Sequence, residues 1–593
     1  MTTAFPSAAP IAEFPIESRT APALWRYALS EAGTRPAYLE EQEDGWREVS
    51  WQEAGERIEA LSRSLQARGV RRGDAVAVLS RTRLEWILLD WAIMSIGAVV
   101  VGLYPSNTPS ECAYVLGHAE AVLAFVEDDA QREKLAAVSP QLPALKEIVL
   151  FDDLSVLEAE GRANAPLELH EVQEHDLATL IYTSGTTGPP KGCMLSHKNL
   201  VTAALRVRNH IEGETDTVIL FLPMAHSFAR IAHQSATYRG ATLALCADVA
   251  RLPEALARIH PTILPAVPRV YEKIHANTLS QIERSNGAKR AIGRWALGVG
   301  SRTSRLRRAG RPVPMALQMQ ERIADRLVFS KVRERLGGRL RLGISGAAPL
   351  GIDVLEFFHS LGMLVIEGYG LTETSSSLSV NDPDEYKFGT VGRAVDGCEV
   401  RLDADGEILV RSETIFSGYY KDPEATAAAF TDDGWFRTGD VGEIDEDGWV
   451  KITDRKKDLI ITAGGKNIAP QNLEGALKAT PYISQVMVHG DKRPYLVALI
   501  TLNEENVAKW AKDNGIAGST NAELAKNDRV RQLVQKYIDD LNAREPSYSS
   551  IKKFAILPAD FSQDTGELTP TLKVKRKFTS EKFRDIIDAF YSN

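Results

Sequence analysis

The sequence predicts an α/β fold: a large N-terminal domain of α/β subdomains with a β-rich subdomain, then a small α+β C-terminal domain. Three observations carry this. From about residue 20 to 450, short apolar runs alternate with helix-like segments, the texture of largely parallel strands joined by helices. Between residues 391 and 453 the runs shorten, and Asp405-Gly406, Asp433-Gly434 and Asp447-Gly448 read as hairpin turns. The charged knot Asp454-Arg455-Lys456-Lys457-Asp458 then precedes a compact α+β pattern to the C-terminus. The domain boundary is placed in that knot, giving residues 1–454 and 455–593.

The first clear unit is the strand Ala75-Val76-Ala77-Val78-Leu79-Ser80 followed by a helix over 84–96. Residues 86–103 imitate a membrane span interrupted by Asp90, but Gly97, the run Val99-Val100-Val101 and the turn Tyr104-Pro105-Ser106-Asn107 predict a buried helix and a core strand. Further strands are expected at 122–126, 147–151, 217–222, 241–246 and 364–367. A length of 593 residues corresponds to about four domains, a count that large α/β units reduce. With 44% hydrophobic and 25% charged residues, the composition is that of an ordinary globular protein. Cys112, Cys193, Cys246 and Cys398 lie far apart with no CxxC, which suits a reducing compartment and argues against structural zinc. The first eighteen residues lack a basic start followed by an apolar run, so the expectation is a soluble, cytoplasmic chain.

Charge is uneven. Residues 289–341 hold fifteen Lys/Arg against three Asp/Glu, a local +12 in a chain of net charge −9. Within this block Ile292, Trp295, Ala296 and Val299, and then Met319, Ile323 and Leu327, fall at helical spacing among arginines. Such an element suits peripheral contact with an anionic membrane or a partner, or else a core-packed helix with a solvated basic face. Nucleic acid is not expected, because no recognition motif accompanies the block.

The stretch Tyr182-Thr183-Ser184-Gly185-Thr186-Thr187-Gly188-Pro189-Pro190-Lys191-Gly192 sets hydroxyls, glycines and a lysine directly after an apolar run. Glycines admit a ligand close to backbone N–H groups, and hydroxyls and lysine add donors and charge, so the segment can cradle a polyphosphate. It is not a Walker A loop, since Pro190 and Gly192 stand where that motif needs Gly and Ser/Thr. A flexible surface turn would use similar residues.

Taken with Gly368-Tyr369-Gly370-Leu371-Thr372-Glu373, Thr438-Gly439-Asp440, and Asp454-Arg455 followed by Gly464-Gly465-Lys466-Asn467, this stretch identifies a family. In that order, over roughly residues 20 to 580, the chain resembles the adenylate-forming (AMP-binding) superfamily, and within it the long-chain fatty acyl-CoA synthetases. The resemblance implies a two-step reaction. A fatty acid carboxylate attacks the α-phosphorus of ATP to give acyl-AMP and pyrophosphate, and CoA thiolate then displaces AMP. Such chemistry calls for donors, Mg²⁺ and lysines rather than a protein nucleophile.

The resemblance assigns roles residue by residue. Thr183, Ser184, Gly185, Thr186, Thr187, Gly188 and Lys191 would hold the ATP phosphates, with Glu373 and Thr186 on Mg²⁺ and Thr372 on a phosphate oxygen. Gly346, Ala347 and Ala348, in Ser345-Gly346-Ala347-Ala348-Pro349, would admit the adenine, with Tyr369 stacked on it beside Gly370. Asp440 would accept from the ribose hydroxyls, and Arg455 would reach ribose or phosphate. His226 would sit where the acyl, adenylate and CoA sites meet, with Phe228 and apolar neighbours along the acyl tunnel. Taken alone, Glu373 also reads as a helix-capping carboxylate and Asp440 as a turn residue.

Lys573 is the expected adenylation lysine, with Lys575 as the alternative, because Thr571-Leu572-Lys573 stands where many relatives have Ser/Thr-Gly-Lys. The C-terminal domain is expected to be mobile, pivoting at Lys457 so that Lys573 serves adenylation and the loop Gly464-Gly465-Lys466 serves thioester formation. Within the same fold, an acyl-AMP ligase loading a carrier protein or an amino-acid-activating domain are alternatives. A non-catalytic acyl or nucleotide sensor is the alternative of a different class, against which Glu373, Asp440 and the terminal lysine stand.

Overall fold

Two large sheets form the N-terminal domain. The computed structural model describes residues 16, 18–164, 171–183, 189–463, 466–516, 520–569 and 572–592, without the side chains of Arg208 and Asn467. In the six-stranded sheet, Glu147–Leu150, Leu123–Val126, Ala75–Leu79, Val99–Leu103 and Leu177–Thr183 run parallel, and Lys191–Ser196 closes the edge antiparallel. The nine-stranded sheet is built around parallel Thr242–Leu245, Thr217–Leu220, Ile263–Ala266, Leu342–Ser345 and Leu364–Tyr369. Short apolar strands buried on both faces are what helix-covered parallel sheets require. The strands expected from the sequence fall in these two sheets, within a residue or two at most ends.

Residues 86–103 are a helix and a strand. Leu84–Ser95 is apolar on all sides and buried, and Val99–Leu103 follows it into the six-stranded sheet. Asp90, the one acid in the helix core, pairs with the equally buried Arg230. Burial pushes the Asp90 carboxyl up to about 6 even with Arg230 beside it. Among the described residues, no helix is long and apolar enough to cross a membrane.

The β-rich subdomain is a four-stranded antiparallel sheet of Cys398–Leu402, Glu407–Ser412, Phe436–Ile444 and Val450–Arg455. Asp405-Gly406 and Asp447-Gly448 make its tight turns, both glycines in the left-handed region at φ +83. The last strand runs through Arg455, whose register partner is Asp440. The C-terminal part has its own core, in which Pro470–Lys478 and Asp528–Asn542 pack on the sheet of Ile483–His489, Leu496–Leu502 and Ile551–Ile556. It touches the N-terminal domain through Lys478–Glu272 at 3.8 Å and through the Asn506 amide, which donates to Asn277 at 3.3 Å.

The basic block divides. In the helix Gly287–Arg308, Ala296 and Val299 are buried, while Ile292 and Trp295 remain 40% and 37% exposed. On Met315–Ala324 and the π-helical turn Asp325–Phe329, Met315, Met319, Ile323 and Leu327 are 78%, 61%, 51% and 43% exposed. The first stripe is thus split between core and surface, and the second lies wholly outside. The core-packed reading holds for the helix Gly287–Arg308, which buries Gly293, Ala296, Val299, Gly300, Thr303 and Ser304, and fails for the stripe of Met319, Ile323 and Leu327.

Candidate active site

The carboxyl ends of parallel strands are where an open α/β sheet places a ligand, and two such ends begin this site. Leu342–Ser345 delivers Gly346 and Ala347, and Leu364–Tyr369 delivers Gly370, Leu371, Thr372 and Glu373. The return of the second loop is so tight that a Cβ on Gly370 would lie 2.3 Å from the Ser376 carbonyl carbon. Ala347, Ser375 and Ser376 hold left-handed φ values of +72, +53 and +61, and Leu572 one of +61. Non-glycine residues resist that region, so their gathering here marks backbone strained for position.

Asp440 organises the charged part. Its Oδ2 accepts from the Tyr369 hydroxyl at 2.7 Å, and its Oδ1 faces Arg455 Nε at 3.1 Å. Lys573 arrives from the C-terminal domain on a turn closed by Thr569. There the Thr569 N–H donates to the Lys573 carbonyl at 2.8 Å, and the Lys573 N–H to Thr569 Oγ1 at 3.0 Å. The lysine stands half-buried within electrostatic reach of Arg455, Asp440 and Lys457. Burial first, and then Arg455, lower its pKa to about 8. Lys457 is likewise lowered, by burial and then by Arg455. Lys575 instead precedes the helix Arg576–Lys582, its N–H donating to the Glu567 carbonyl at 2.7 Å.

His226 precedes the helix Ser227–Arg239, and its Nδ1 accepts from the Phe228 N–H at 3.2 Å. Burial and then Lys573 push its pKa down to about 4. The ring is therefore neutral, with its proton on Nε2. Behind it, Arg230 Nε donates to the Met224 carbonyl at 3.3 Å, tying the histidine's loop to the buried Asp90 pair.

Glu373 and Lys191 form the third group. Glu373 Oε1 accepts from the Tyr419 hydroxyl at 2.8 Å, and Lys191 Nζ lies 4.9 Å from the centre of that tyrosine ring. Lys191 is the register partner of Thr183, so the expected phosphate loop joins two neighbouring strands. Among the described residues nothing else bonds the Glu373 carboxylate, so its second oxygen is open to a cation. One hard carboxylate of this kind fits Mg²⁺, which takes its remaining ligands from phosphate and water. Thr186 lies outside the described residues, as do Ser184, Gly185, Thr187, Gly188, Gly464 and Gly465.

Two expected residues are not gathered with the rest. Ala348 is exposed and does not line the cavity described next. Lys466 is exposed in the C-terminal domain, its ammonium 5.7 Å from the Tyr548 ring. Tyr419, Arg230 and Asp90 join this cluster without being expected there. Ser417-Gly418-Tyr419-Tyr420 carries no local signal, and only the isolated acid in an apolar helix marked Asp90.

From this cluster an apolar cavity runs inward, passing His226, Gly346, Phe228, Ile231, Ile344 and Ile263. Ser345, Ser377 and Ser379 line it with buried hydroxyls that have no partner among the described residues. Buried hydroxyls normally find partners, so they are donors available to a bound ligand or to water.

Comparison with known proteins identifies the family. The AMP-binding enzyme model matches residues 25–420, and the AMP-binding enzyme C-terminal domain model matches 457–593. The chain belongs to the AMP-binding enzyme family. It is 40% identical over 562 residues to long-chain-fatty-acid–CoA ligase FadD15 of Mycobacterium bovis, covering 92% of this chain and 93% of the relative. Against long-chain-fatty-acid–CoA ligase ACSBG2 of Xenopus laevis the identity is 32%, over 96% and 83% of the two chains. In fold it is similar to the A domain of carboxylic acid reductase from Segniliparus rugosus, solved with AMP and a co-purified carboxylic acid (TM-score 0.77, 21% identity, 98% and 95% coverage).

Proposed function

We propose that this protein is an ATP-dependent long-chain fatty acid–CoA ligase working through an acyl-AMP intermediate. The observation that carries the reading is the meeting of Lys573, Arg455 and Asp440 with the mouth of an apolar cavity beside a neutral His226. The 40% and 32% identical relatives named as long-chain ligases support the substrate class.

In the first step a carboxylate oxygen attacks the α-phosphorus of ATP and pyrophosphate leaves. Lys573 places an ammonium where charge grows on the phosphate oxygens, and the His226 Nε2–H orients the carboxylate. Asp440 and Arg455 hold the ribose side. Glu373 would hold Mg²⁺, which would offset phosphate charge. In the second step CoA thiolate attacks the acyl carbon and AMP departs with the carboxylate oxygen it gained.

Lys573 is at the site while Lys466 lies outside it, an arrangement suited to the first step. The domains 1–454 and 455–593 would rotate about Lys457 for the second. Asn277→Cys with Asn506→Cys, joined by a short thiol-reactive bis-maleimide, is expected to spare acyl-AMP formation and to suppress thioester formation at least ten-fold. Equal loss of both steps would contradict the rotation.

AMP release from ATP and Mg²⁺, with acids from acetate to palmitate and with or without CoA, tests the reaction. CoA-dependent turnover that favours longer acids is expected. Adenylate formation indifferent to CoA would point to carrier-protein loading instead.

The exposed apolar stripe among arginines would rest on an anionic lipid surface, the apolar side chains entering the headgroup boundary. The protein is expected to co-sediment with vesicles containing phosphatidylglycerol at low salt, and to be released as salt rises. Met319→Glu with Ile323→Glu should weaken binding at least ten-fold. Failure to bind at low salt would remove this part of the reading.

A further inference from the structure

The cavity has a definite floor. Three neighbouring parallel strands, Thr217–Leu220, Ile263–Ala266 and Leu342–Ser345, form one wall, with Gly346 and Ala347 at its mouth. Val218 and Ile263, register partners, line the deep end. Ser345 pairs with Ala266 and Leu342 with Ile263, so mouth and deep end are three residues apart, about 10 Å at strand rise. The opposite wall is the helix Ser227–Arg239, whose Phe228, Ile231, Ala232 and Ser235 descend along one face. From His226 to Ser235 that wall measures about 13 Å at helical rise. Two independent rulers agree on a chamber shorter than a long acyl chain.

His210 closes it. Its side chain is buried at 4% exposure, and the residue lines the cavity beside Ile211 and Val207. Its ring nitrogens face two main-chain carbonyls, Nδ1 that of Val207 at 2.9 Å and Nε2 that of Asn381 at 3.0 Å. Arg341 donates to the His210 carbonyl at 3.1 Å and pairs with the buried Asp216. Thr262 donates to the same Asp216 at 2.6 Å. A buried ring held between two carbonyls is a stop that a growing chain must displace.

We propose that His210 is a specificity-determining residue, the stop at which the dependence of activity on acyl length changes slope. This rests on the ligase reading of the same cavity. An extended chain advances roughly 1.2 Å per bond, as a peptide does over its three bonds per residue. A chamber of about 10 to 13 Å therefore seats roughly eight to eleven carbons. Up to that length each methylene gains apolar wall and should raise kcat/KM about four-fold. Beyond it the gain is spent displacing the ring, and the profile flattens, so long acids are accepted without further preference.

The test is kcat/KM for saturated acids of six to sixteen carbons, taken in two-carbon steps below their aggregation limits, on the full-length enzyme. Wild type should break between eight and twelve carbons. His210→Ala should carry the rise at least two carbons further, and His210→Trp should bring the break at least two carbons earlier. Ratios between acids are read within each variant, so a partly folded preparation does not distort them. A wild-type profile rising through sixteen carbons, or a break unmoved in both variants, would overturn the assignment. Absence of CoA-dependent turnover with every acid would overturn the ligase reading itself, a separately visible outcome.

Discussion

Lys573→Ala is expected to slow acyl-AMP formation by about 10²- to 10³-fold, the scale of losing one preorganised charge stabiliser. Thioester formation from preformed acyl-AMP and CoA should change far less, because it needs no charge at the leaving pyrophosphate. The same lysine predicts a pH dependence. Burial and Arg455 disfavour its ammonium, so the charge is present below about pH 8 and lost as pH rises through that value. Wild-type kcat/KM for adenylation, which reports the free enzyme, should fall above about pH 8, and Lys573→Arg should hold its value to higher pH. An alanine variant that adenylates at the wild-type rate would place the function elsewhere, with Lys575 next to be tried.

Glu373→Gln should be comparably damaging, for a different reason. The amide oxygen still accepts from the Tyr419 hydroxyl, so the loop should keep its shape and the melting temperature should barely move. What is lost is the anionic oxygen available to Mg²⁺. A cation offsetting phosphate charge is worth several kcal/mol, so adenylation should fall by about 10²- to 10³-fold. The Mg²⁺ concentration giving half-maximal rate should rise at least ten-fold. An unchanged Mg²⁺ dependence would show that this carboxylate does not hold the ion.

Much of the scaffold was legible because parallel strands buried on both faces leave uninterrupted apolar runs, as at Ala75–Leu79 and Val99–Leu103. The Asp-Gly turns at 405–406 and 447–448 were equally plain, since their conformation demands glycine. Residues 86–103 could be kept out of a membrane because Gly97 and a turn break the segment, though Asp90's partner Arg230 lies 140 residues away and left no trace. Ile292, Trp295, Ala296 and Val299 share one face by spacing, but packing against neighbouring helices splits it, which no helical periodicity records. Leu572 was visible as a departure from the usual glycine. The structure supplies the physical reason for interest, a left-handed leucine whose side chain packs against the small apolar cluster of Phe561, Leu568 and Ile587. Tyr419 and the His210 floor stayed hidden because both act across long sequence separations.

The most direct test follows the oxygen. Palmitate labelled with ¹⁸O in its carboxyl group is supplied with ATP, Mg²⁺ and CoA, and the AMP released is weighed by mass spectrometry. Attack of the carboxylate on the α-phosphorus leaves one labelled oxygen in AMP after CoA displaces it, and that single ¹⁸O is the predicted result. Unlabelled AMP alongside acyl-CoA, or label appearing in pyrophosphate or inorganic phosphate, would contradict the acyl-adenylate route.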